Sequence, residues 1–187
     1  MEERKLLEEV AKTLETNLNL LNERLNRIDV CNNSGEIVLS IIDNNSEYKD
    51  TLGKHFWFAF YNVSKVFLSE AGYQPMKYTG GKLILNEQLK YEIVNLFEVK
   101  YQFLLSQLEW GIKDDPETHP FLDEHFIRDD RGNLKPFNFD AISDNTIFYS
   151  LLNKAKSQRT WFEMLISDSK KETERVLRLI EEELGEE

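Results

Sequence analysis

The densest run of side chains able to bind a metal or move a proton lies between residues 114 and 130. It holds Asp114, Asp115, Glu117, His119, Asp123, Glu124, His125, Asp129 and Asp130. Carboxylates and imidazoles together can hold a divalent ion and activate water, the chemistry of a metal-dependent hydrolase or nuclease. Their spacing matches no metal loop, however, and an acidic stretch is commonly a solvated face. No metal and no other cofactor is expected, and His119, between Thr118 and Pro120, reads as a loop residue. Gly80-Gly81-Lys82 lacks the leading glycine spacing and the Ser or Thr of a phosphate loop, so it reads as a turn. No Walker loop, dinucleotide glycine fingerprint, nucleophile elbow or HExxH helix occurs. Cys31 has no histidine near it in sequence, and one cysteine builds neither a disulfide framework nor a multi-cysteine zinc site. No catalytic residue is assigned.

The same segment supports a second role, in binding. Phe121, Phe126, Phe137 and Phe139 interleave with its carboxylates. Aromatic residues can anchor a contact while acidic groups at the rim steer a basic partner. Alternatively, these phenylalanines tack the segment onto the body of the protein. The expected partner-binding set is Asp114, Asp115, Phe121, Asp123, Glu124, Phe126, Asp129, Asp130 and Phe137. The expected partner is another protein, one with a basic surface, or a second copy in a homodimer.

The charge balance points the same way. Asp and Glu number 34 against 23 Lys and Arg, a formal charge of −11. Direct binding to a nucleic-acid backbone is not expected, because such binding needs a basic surface. An acidic chain can instead mimic nucleic acid and occupy a basic site on a partner protein. No apolar stretch approaches the roughly 20 residues needed to cross a bilayer. The opening MEERKLLEEV has no apolar signal region, so a cytoplasmic location is expected.

The elements that must position these residues read as helices. With 187 residues, 41% hydrophobic and 12% aromatic, the chain suits a single all-α domain over 1–187. From Glu2 to about Asp29, Leu7, Val10, Leu14, Leu18, Leu21, Leu25 and Ile28 form one helical stripe. This helix is an arm of an antiparallel hairpin or of a dimeric coiled coil. Asn32-Asn33-Ser34-Gly35 signals a turn, and residues 36–43 are short enough for strand or helix, with helix favoured by their surroundings. Asn44-Asn45-Ser46 should cap a helix over 47–71, closed by Gly72, with Leu52, Phe56, Ala59, Phe60, Val63, Phe67 and Ala71 inward. Trp57 and Phe58 widen that face, and 73–82 reads as a loop. Asn86 should cap a helix over 87–110 that ends at Gly111, with Leu89, Ile93, Leu96, Phe97, Leu104 and Leu108 inward. Residues 113–140, with Pro116, Pro120, Pro136 and Gly132, read as one long irregular loop, with a small hairpin around Arg131-Gly132. Helices over 143–155 and 157–183 close the chain. The sum is an antiparallel helical bundle of about five or six helices.

Two patches carry a family resemblance. His55-Phe-Trp-Phe-Ala-Phe-Tyr-Asn-Val-Ser-Lys-Val-Phe-Leu-Ser-Glu-Ala-Gly72 and the following Tyr73 to Gly80 resemble the central helix and Lys- and Gly-containing loop of HEPN domains. Leu151 to Phe162, then Ser169-Lys-Lys-Glu-Thr-Glu-Arg175, is similar to that family's late Arg-then-aromatic helix and its Glu-rich final helix. The resemblance implies a bundle of four or five helices, usually dimeric, in toxin–antitoxin pairs, phage defence or RNA handling. Catalytic members share an Arg and a His separated by four to six residues. None of His55, His119 and His125 has an arginine at that distance upstream, so the catalytic residues do not carry over. The resemblance therefore implies a non-catalytic interaction or regulatory subunit.

Overall fold

The computed structural model describes residues 2–44, 46–60, 66–79, 81–113 and 117–185. The fold is all-α, and among the described residues the only sheet has two strands. No helix among them is long and apolar enough to cross a membrane. Backbone proximity groups the chain into two compact units. One takes Met1–Leu25, Lys65–Glu109 and Met164–Glu187, the other Asn26–Ser64 and Trp110–Glu163.

The first helix, α1 (Glu2–Asp43), overruns its expected end near Asp29 and passes straight through the Asn32–Gly35 turn signal. Its buried stripe simply continues: Val10, Leu14, Leu21 and Ile28 are followed by Cys31, Val38 and Ile42. The polar residues that argue for a turn are bonded from elsewhere in the fold. The Asn32 Oδ1 accepts from the Arg159 Nε at 2.8 Å, and the Ser34 Oγ lies 3.2 Å from the His55 Nδ1. Residues 36–43 are helical, as their surroundings favoured.

In the first unit, Asn86 caps α4 (Glu87–Asn95) by accepting from the Leu89 N–H at 3.1 Å. A π-helical turn, Leu96–Lys100, joins α4 to α5 (Tyr101–Lys113), which runs past the expected stop at Gly111. Leu89, Ile93, Leu96, Phe97, Leu104 and Leu108 are all buried, as their spacing predicted. Residues 73–82 are not all loop: Tyr73–Tyr78 form α3, whose Tyr73 ring stacks on Phe97 with centroids 4.5 Å apart. A second departure precedes it. Among its described residues, the expected 47–71 helix is helical only as a 3-10 turn, Asp50–Leu52, and α2 (Gly53–Phe60). Asn44 turns its amide back to the Ser40 carbonyl instead of capping forward; Asn45 and Val63 lie outside the described residues.

Residues 66–70 are not helical, and Phe67, expected inward, is 76% exposed. The physical reason is Asn17, fully buried on α1. It accepts from the Ser69 N–H at 2.7 Å and donates to the Ser69 carbonyl at 3.0 Å, replacing the helix partners of that residue. Beside it the Gly72 N–H donates to the Thr13 Oγ1 at 2.9 Å. A Cβ at Gly72 would lie 2.1 Å from the Glu9 carbonyl oxygen, so only glycine fits this approach.

In the second unit the expected irregular loop is largely ordered. It contains α6 (Thr118–His125), strands β1 (Phe126–Arg128) and β2 (Leu134–Pro136), and α7 (Phe139–Ser143). The hairpin turns at Arg131-Gly132 as expected: the Gly132 N–H donates to the Asp129 carbonyl at 2.9 Å, and Gly132 takes φ +80°. The two late helices are one, α8 (Thr146–Gly185), which Asn145 caps at its start. The core here is aromatic. Phe148 contacts Phe56, Phe60, Phe121 and Phe126 with ring centroids 5.4–6.4 Å apart. Because Phe60 sits edge-on to Phe148 and is 5% exposed, Phe60→Ala should cost about 3–5 kcal/mol in denaturant melts.

Candidate functional site

Two constellations in the second unit combine chemistry with position. The first is the hairpin, where most of the expected binding residues fall. Antiparallel partners share a face, and successive residues alternate between faces. The register pairs Phe126 with Pro136, Ile127 with Lys135 and Arg128 with Leu134. Phe126 and Leu134 point inward, 4% and 1% exposed, and the Arg128 guanidinium lies over the Trp57 ring at 4.8 Å. The Phe137 N–H donates to the His125 carbonyl, which extends the ladder by one pair. Phe137 therefore shares the outward face with Lys135 and Ile127. Phe137 is 65% exposed and Ile127 52%.

The predicted set divides accordingly. Phe121 and Phe126 are buried in the aromatic cluster and cannot serve as surface anchors; for them the tacking role holds. Phe137 is outward. Asp123 and Glu124 are exposed on α6, and Asp114 and Asp115 lie outside the described residues. Asp129 is consumed by the turn. It accepts from the Asn133 Nδ2 and from the N–H groups of Asn133 and Arg131 at 2.8–2.9 Å, and these bonds, the Asn133 amide first, hold its carboxyl below the usual carboxylate range. Asp130, beside the turn, lines an open cleft of about 660 Å³ together with Lys54 and Thr51. Asp50 in that cleft is paired with Lys135 at 3.0 Å, and Glu117 with Lys154 at 3.4 Å. Among the described residues no group of three or more His, Cys, Asp or Glu side chains converges to hold a metal ion. Ile127 escaped the sequence reading, since one aliphatic residue between Phe126 and Arg128 gives no sign of which face it takes.

The second constellation centres on Arg159, which is 1% exposed. Its Nη1 donates to the Ala59 carbonyl of α2 at 2.8 Å, while its Nε reaches Asn32 on α1. No carboxylate pairs with it among the described residues. The Ala59 carbonyl and the Asn32 oxygen take that role. Burial pulls the guanidinium below its ordinary range, partly offset by Cys31. Burial also pushes the Cys31 thiol up, against the pull of Arg159 and Arg27, which keeps it a protonated core group rather than a nucleophile. The Arg-then-aromatic pattern at Arg159-Thr-Trp161 was the only sign of this residue in the sequence.

Two expectations follow for mutants. Arg159→Met removes the donor to the buried Ala59 carbonyl and the half-buried Asn32 oxygen and should lower stability by about 2–4 kcal/mol in denaturant melts, with Arg159→Lys intermediate because one ammonium cannot span both. Asp129→Ala should lower the melting temperature, whereas Asp130→Asn should leave it unchanged, since no bond of the turn uses Asp130. Comparison of the chain with family models, curated proteins and solved structures finds no match.

Proposed function

We propose that this chain is a non-catalytic helical interaction protein that docks a protein with a basic surface through the outward face of its hairpin. One observation carries the reading: Ile127 and Phe137 stand exposed, flanking Lys135, on a ladder whose other face is fixed in the aromatic cluster. A surface already held in place has little ordering entropy to lose on binding. Asp123, Glu124 and Asp130 are exposed and have no ion-pair partner among the described residues. With a net charge of −11 they favour approach by a basic protein. The resemblance to HEPN domains, without the Arg/His pair, supports a role as a subunit or regulator in a prokaryotic defence or toxin–antitoxin system.

Affinity capture from the native host, read by mass spectrometry, tests this. The wild-type chain should retain a basic partner whose binding weakens with salt. The Ile127→Ser, Phe137→Ser double variant should lose it while keeping its helical circular dichroism. Retention of the same partner by the double variant would remove the hairpin face from the interface. The purified protein should also leave RNA and DNA uncut with or without divalent ions; cleavage abolished by His125→Ala would favour the hydrolase instead.

A further inference from the structure

We propose that the groove between α5 and the last part of α8, in the first unit, binds a small carboxylate with an apolar body. The groove encloses about 330 Å³, within the roughly 300–1,000 Å³ of small-molecule pockets. Leu104 and Leu165 line it, and Phe103 stands half-exposed at its edge.

The polar groups that converge there are unusual in what they lack. Ser169 lines the groove at 8% exposure, yet its hydroxyl has no hydrogen-bond partner among the described residues. Buried hydroxyls are normally satisfied, and in a helix they commonly turn back to the carbonyl four residues earlier. Thr13, Thr16, Thr160 and Thr173 of this chain all do so. The lining charges are also uneven. Lys171 is paired with Asp168 at 3.4 Å and Glu172 shares Arg175 with Glu92, at 3.1 and 2.6 Å, whereas Lys100 has no partner among the described residues. The lining charge without a partner among the described residues is therefore a cation. Lys100 closes the π-helical turn, where the Tyr101 N–H reaches back to the Leu96 carbonyl, and such turns recur at functional sites. A carboxylate seated here pairs with Lys100 and accepts from the Ser169 hydroxyl, and its apolar body lies on Leu104, Leu165 and Phe103.

Octanoate, and octanol as its uncharged counterpart, are the probes, followed by amide chemical shifts of the full chain. Octanoate at millimolar concentration should shift the amides of residues 100–104 and 165–172, and octanol should bind at least about tenfold more weakly. Lys100→Met, at an exposed position, should reduce octanoate to the affinity of octanol, and Ser169→Ala should weaken octanoate without reversing its preference over octanol. The proposal is overturned if octanoate up to about 10 mM leaves these amides unmoved, if octanol binds equally well, or if Lys100→Met binds octanoate as tightly as the wild type.

Discussion

The second unit depends on one buried cation. Arg159, 1% exposed, has no carboxylate partner among the described residues, a placement that costs heavily unless fixed dipoles replace its water. Two do: the Asn32 amide oxygen on α1 and the Ala59 carbonyl near the end of α2. The guanidinium fork reaches both at once, so α1, α2 and α8 are held at a fixed separation and register. Much else follows. α1 stays helical past residue 32 because the Asn32 side chain has a partner across the core rather than in a local turn. The Ala59 carbonyl of α2 is fixed by the same side chain, through the Arg159 Nη1.

That fixed frame is what the aromatic cluster packs onto. Phe56 and Phe60 from α2 meet Phe148 from α8, and Phe126 of the hairpin seats against Phe56 with centroids 5.3 Å apart. A two-stranded hairpin is marginal by itself in water. Here its inner face is buried, its turn is tied by Asp129 and its Arg128 is stacked on Trp57, so its outer face is presented in one conformation. The exposed Ile127 and Phe137 are thus a consequence of how firmly the other side is held.

In the first unit, amide and hydroxyl groups of α1 do comparable work. Asn17 grips both backbone groups of Ser69, and Thr13 holds Gly72, so the chain leading into α3 follows α1 without forming a helix of its own. The α4–α5 run lies antiparallel to the end of α8 through Glu92–Arg175 at 2.6 Å and Tyr101–Thr173 at 2.8 Å. Between these contacts the π-helical turn gives the run one wider coil, and the groove holding Lys100 and Ser169 opens next to it.

The sequence by itself determined whatever depends on near neighbours. The stripe from Leu89 to Leu108, the Asn86 cap, the helical class of the fold and the turn at Arg131-Gly132 all follow from spacings of a few residues, which repeat whatever the rest of the chain does. The tertiary structure decided every point where a polar side chain chose between a local and a distant partner. Asn32 and Ser34 read as a turn because their bonds to Arg159 and His55 come from residues far along the chain. Ser69 and Phe67 read as helix because Asn17, 52 residues before Ser69, is what pulls that backbone away. The acidic run of 114–130 read as one cluster, yet folding spends Asp129 on a turn and Glu117 on Lys154, and buries the phenylalanines between them. Local patterns record propensity, whereas the energy of a buried polar group is set by the partner that meets it, and only the folded chain brings that partner within reach.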